Sequence, residues 1–159
     1  VDELARALED SALSRSLRGS LWLYPSVEIA HIIGFIVLVG SIVMFDIRLL
    51  GASRGLSVSA LGAHLRKWSL GSVALVVPSG ALLFTAHPVE LVNNPVFGVK
   101  LLTITLAALN ALVFHFGVHR SVSTWDSGVA APLVARVHAI ASLVLWVTTV
   151  SCGRLLAYT

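Results

Sequence analysis

Four long apolar stretches dominate this chain and leave it few ways to fold. They cover about residues 27–45, 68–86, 96–118 and 133–153, and each approaches or exceeds the roughly 20 residues that a helix needs to cross a bilayer. The runs are too long for strands and lack period-two alternation, so helices are the reading. Joined by loops of roughly ten to twenty residues, they predict an all-α fold: an integral membrane four-helix antiparallel bundle. Composition agrees, because 57% of the residues are hydrophobic and only 12% charged. A soluble domain carries roughly 25% charged residues, and half that supply cannot cover a water-exposed surface. The single Cys excludes an internal disulfide framework and any multi-cysteine metal site.

Ahead of the bundle, residues 1–20 read as a short amphipathic interfacial helix, leaving 21–159 for the four spans. Leu4, Leu8, Ala12 and Leu13 recur at helical spacing, with Glu3, Arg6, Glu9, Asp10 and Arg15 on the other face, a pattern suited to the membrane surface. The acidic start is unlike a signal peptide. Arg48, Arg54, Arg66 and Lys67 cluster in the first loop, and Arg120 and Arg136 flank the third. The positive-inside rule then places these loops in the cytoplasm and both termini in the periplasm of a bacterial inner membrane. Trp22, Tyr24 and Tyr158 fall at the outer interface and Trp68 and Trp125 at the inner one, whereas Trp146 lies deep in the fourth span.

Histidine is the unusual residue of the spans. The six are His31, His64, His87, His115, His119 and His138, and ionisable groups inside a bilayer usually face the bundle interior with a partner. At a rise of about 1.5 Å per residue, His31 and His87 fall in the outer half. His115 and His138 fall at similar depths in the inner half, with His64 and His119 farther inward. Neutral imidazole ligates haem iron as well as Zn, Cu and Ni. His115 and His138, at matched depth on different helices, satisfy best what a haem between helices requires. His119 follows His115 by four residues and shares its face. The haem would be b-type, since no C-x-x-C-H occurs.

Candidate cofactor ligands are therefore His31, His64, His115 and His138. For a bare transition metal such as Cu they are His31, His115, His119 and His138. Glu28 precedes His31 by three residues and either orients its imidazole or meets the positive end of the helix dipole. Asn110 and Trp146 are further candidates beside the ligands, Asn110 as a hydrogen-bonding group and Trp146 as a packing surface for a porphyrin. The plain alternative for His64, His87 and His119 is a polar anchor at the interface. Asp46 and Arg48 are expected to pair locally at the end of the first span. Enzyme signatures such as a phosphate-binding glycine loop or H-E-x-x-H are absent, and the short basic loops suit topology rather than nucleic acid.

Trp22-x-Tyr24-Pro25-x-x-Glu28-x-x-His31, then Asp46-x-Arg48-Leu49-Leu50-Gly51, resemble a family of uncharacterised bacterial four-span inner-membrane proteins. Asn94-Pro95-x-Phe97 with Lys100, Asn110-x-x-x-Phe114-His115 and Gly153-Arg154-Leu155-x-Ala157-Tyr158 extend the likeness over nearly the whole chain. The resemblance implies four spans and no established activity, and it emphasises Glu28, His31 and His115. The layout is also similar to small membrane b-type cytochromes. The sequence thus carries three functional expectations. The first is a b-type haem electron-transfer protein or subunit exchanging electrons with quinone or a redox partner subunit. The second is transition-metal or proton handling, and the third a structural membrane anchor. A homo-oligomer is compatible with any of them.

Overall fold

A computed structural model describes residues 2–158. Two short helices, α1 (Asp2–Glu9) and α2 (Ala12–Gly19), precede the long α3 (Leu23–Leu50) and α4 (Val58–Ala86). After the one-and-a-half-turn α5 (Pro88–Asn93) come α6 (Pro95–Phe116), a 3-10 helix (Val118–Thr124) and α7 (Leu133–Leu155). The helices α3, α4, α6 and α7 are each long and apolar enough to cross a membrane. Only 11–22% of each span's most apolar stretch is buried within the chain, so most of that surface faces outward. Apolar area on this scale needs lipid rather than water against it, and the protein is a multi-pass membrane protein.

Local chemistry explains where the spans begin and end. Asn94 opens α6, its side-chain oxygen accepting from the Val96 amide at 2.9 Å, with Pro95 in the first turn, where its missing N–H costs nothing. Gly51 closes α3 at φ 113°, a left-handed conformation that glycine adopts without strain. At the start of α4, Ser57 accepts from the Ala60 amide at 3.1 Å. Asp126, from the loop before α7, accepts from the Ser57 hydroxyl at 2.6 Å and the Ser59 amide at 2.7 Å.

The long helices pack in the order α4–α3–α7–α6. Gly34 brings the first pair close, since a Cβ there would meet Val76 Cγ2 at 2.9 Å. A buried hydrogen bond of 2.8 Å between Thr103 and Thr149 ties α6 to α7. The ring of helices does not close. Among the described residues no Cα of α4 lies within 8 Å of a Cα of α6. The gap is bridged near α5 by the stacked rings of Phe84 and Phe97, 5.7 Å apart.

The two ends of the bundle are finished differently. At the basic-loop end, Leu49, Val58, Trp125, Ala131, Ala135 and Ala139 form an apolar core. Arg48, 2% exposed, crosses beneath it. Its Nε donates to the Leu56 carbonyl at 2.7 Å, and its Nη2 donates to the carbonyls of Arg54 and Asp126 at 3.0 and 3.1 Å. The expected local pair with Asp46 does not form, because residues two apart on a helix do not share a face. At the other end α1 packs on α5 and α2 on the end of α4, burying Ala5, Ser14 and Leu17. The expected single leader helix is divided at Asp10–Ser11, where the Ser11 hydroxyl accepts from the Ser14 amide at 3.2 Å and starts a second helix.

Candidate functional site

The open ring encloses a cavity of about 710 Å³ lined by all four spans, a size typical of small-molecule and cofactor sites. Its apolar walls carry polar groups from separate helices: Asp46 from α3, Arg66 from α4, Asn110 and His115 from α6, His119 from the 3-10 helix, and His138 and Ser142 from α7. Phe35 and Trp146 line it as well. Five of the residues that the sequence singles out, His115, His119, His138, Asn110 and Trp146, are thereby gathered around one space.

Asn110 and His138 form a two-point clasp between α6 and α7. The imidazole Nδ1–H donates to the Asn110 side-chain oxygen at 2.7 Å, and the Asn110 amide donates back to the His138 carbonyl at 3.0 Å. An amide oxygen only accepts, so Nδ1 carries a proton, and in the neutral ring the lone pair is on Nε2. Metal-ligating histidines are commonly oriented through the other ring nitrogen in this way. Phe114 packs edge-on to His138 at 5.9 Å and reaches His119 at the same distance. The rings of His115 and His119 stack at 5.6 Å with 17° between planes, although the chain leaves α6 at Gly117 between them. His119 stands beyond the end of α6. Burial, with the nearby His115 and Arg66, lowers its pKa below the usual histidine value, so the ring stays neutral at pH 7. Its Nδ1 is buried with no hydrogen-bond partner among the described residues.

Asp46 is the site residue that sequence reasoning missed. It is 5% exposed, it lines the cavity, and its Oδ2 has no hydrogen-bond partner among the described residues. Buried polar atoms are nearly always paired, and Asp46 Oδ2 and His119 Nδ1 both belong to residues that line this cavity. The signal was present in the sequence. Arg48, two positions on, projects from a different face, which leaves a carboxylate at the end of an apolar run without its supposed partner.

The other candidates lie elsewhere. His31 donates from Nδ1 to the Val76 carbonyl at 3.2 Å and to the Ser79 oxygen at 3.0 Å, the Ser79 hydroxyl being directed to the Leu75 carbonyl at 2.6 Å. It therefore joins α3 to α4 outside the cavity lining. A ladder of rings links it to the cavity, His31 to Phe35 at 6.2 Å and Phe35 to Trp146 at 5.9 Å. Glu28 is exposed, and the groups that hold His31 come from α4 rather than from it. His64 faces outward on α4. His87 lies by Glu90 at 3.9 Å and edge-on to Tyr24 at 5.8 Å. Among the described residues no three His, Cys, Asp or Glu side chains converge as a ready-made metal site.

A protein-family model described as a family of unknown function, DUF6644, matches residues 22–159. No curated protein and no solved structure matches the chain. The chain belongs to that family, which fits the resemblance read from its sequence.

Proposed function

We propose that this member of the family is an electron-transfer protein of the bilayer, holding haem b in the cavity between its four spans. The observation that carries the reading is the Asn110–His138 clasp on the cavity wall, which fixes the tautomer of His138 and leaves Nε2 as a ligand. His115, stacked on His119 and lining the same cavity, is the candidate for a second ligand. Phe35, Phe45, Phe114 and Trp146 give apolar and aromatic walls for a macrocycle. Arg66 supplies a positive charge that suits its propionates. Bound iron would accept and release one electron at a time. The protein's part is to hold the ring, exclude water and set the electrostatics around it. A quinone or a partner subunit would exchange the electrons, with the basic loops in the cytoplasm and both ends of the chain in the periplasm of a bacterial inner membrane.

Detergent-purified protein supplied with haem is expected to show a Soret band that shifts on dithionite reduction. His138→Ala should abolish it, and Asn110→Ala should weaken binding by about tenfold or more. No Soret band in the parent protein overturns the reading. A transition-metal or proton-handling site is the second reading, supported by the unpartnered Asp46 Oδ2 and His119 Nδ1. It expects Cu, Zn or Fe by elemental analysis without porphyrin absorbance. A purely structural anchor instead expects His115 and His138 to be replaceable without effect on any partner complex.

A further inference from the structure

A second concavity, of about 610 Å³, lies on the α3–α4 pair and shares no residue with the central cavity. Its sides are Ile33 and Val37 of α3 and Leu75 of α4, and all its charged or titratable groups gather at one end, His64 and Lys67 beside Trp68. These three α4 side chains are exposed. From His64 to Leu75 the groove runs eleven residues along α4, about 16 Å at helical rise, close to the roughly 15 Å of half a hydrocarbon core. Gly71 keeps it open, since a Cβ there would meet nothing within 4 Å. The remaining hydroxyl, Ser72, is spent on the Trp68 carbonyl at 2.7 Å, so the channel beyond Lys67 offers no polar group.

From this arrangement we infer that the groove holds one anionic phospholipid of the leaflet on the basic-loop side. An acyl chain lies along Ile33, Val37, Gly71 and Leu75, and the phosphate sits at Lys67 and His64. Depth and charge pattern fit, for a lysine at the hydrocarbon edge extends its ammonium to the headgroups, and basic grooves between spans on that side suit anionic headgroups. Lys67 has no ion-pair partner among the described residues. A second copy of the chain in the same orientation offers no free carboxylate at this level. Of the two acids at the basic-loop end, Asp46 is buried and Asp126 is held by Ser57 and Ser59. The inference is independent of what fills the central cavity.

Native mass spectrometry of the full chain, released from detergent after incubation with lipid, tests it. Phosphatidylglycerol and phosphatidylcholine with the same acyl chains are the probes. One phosphatidylglycerol is expected to be retained about fivefold better, the factor that one lysine supplies at an anionic surface. Lys67→Gln should bring the two lipids level, and Lys67→Arg should keep the preference. Gly71→Phe, whose ring enters open space, should lower retention of both. Equal retention by the parent protein, a preference that survives Lys67→Gln, displacement by millimolar inorganic phosphate, or a dimer in place of lipid would each overturn the assignment.

Discussion

The basic-loop half of this bundle and the half near α5 use polar residues differently. In the half near α5 they hold helices together. His31 is anchored to Val76 and Ser79, and Thr103 to Thr149. The gap between α4 and α6 is bridged by Phe84 and Phe97, and α1, α2 and α5 pack around the end. In the basic-loop half the helices part around a cavity, the Asn110–His138 clasp ties α6 to α7, and Asp46 and His119 keep unpartnered buried atoms. Polar residues thus serve cohesion near α5, whereas at the basic-loop end they combine cohesion with capacity for a ligand. Unpaired polar atoms in an apolar interior are costly, and in the same half Arg48 and the apolar core around Trp125 fasten the loops.

The strongest way to break this contrast is to cut the fastening. Arg48→Met removes three hydrogen bonds made by a buried guanidinium, and charged hydrogen bonds contribute about 1.5–3 kcal/mol each. A loss of about 3 kcal/mol or more is expected, read as a lowered melting temperature in detergent. A paired comparison probes the α6–α7 seam at two depths. Asn110→Ala removes both bonds to His138 and strands its Nδ1–H, for about 1–3 kcal/mol. Thr103→Val leaves Thr149 bonded to the Leu145 carbonyl at 2.8 Å, and a single bond between spans averages about 0.6 kcal/mol. Equal losses would mean that the clasp adds nothing to the seam beyond a single bond.

The smallest effect concerns pH. The Ser57 hydroxyl, followed by the Ser59 amide, holds the Asp126 carboxyl below its usual range. A carboxylate depressed in the fold stabilises above its unfolded pKa of about 3.9, and that contribution fades as pH falls through the lower folded value. Asp126→Asn should therefore lower the melting temperature at pH 7 and flatten its decline below about pH 4. An unchanged acid limb would mean that the α4 cap contributes nothing.

Much of the fold was legible in the chain because hydrocarbon imposes a simple rule. Residues 27–45, 68–86, 96–118 and 133–153 had to be helical spans, and helices form over all four, with most ends shifted by a few residues but α4 starting ten residues early, at Val58. Part of the site was legible by the same arithmetic. Helical rise put His115 and His138 at one depth, and four-residue spacing put His119 beside His115. Pairings across helices were not, since rise gives depth but not which face meets which neighbour. His64 shares the basic-loop half with His115, His119 and His138 yet faces the groove on the α3–α4 pair. Glu28, three residues from His31, is not the group that holds it. Ser11 breaks the leader helix because its hydroxyl competes for the backbone, a local effect that apolar periodicity does not register.

The sequence by itself determined a four-span, all-helical membrane protein, because long apolar segments with scarce charge are stable only in lipid. Tertiary structure alone decided that α4 and α6 stay apart and that Arg48 serves two loops instead of Asp46. It also decided that Asn110, one of many residues of α6, meets His138 twenty-eight positions away. Burial is a property of composition along a segment. Partnership depends on how helices rotate and cross, which is fixed only when all four pack at once.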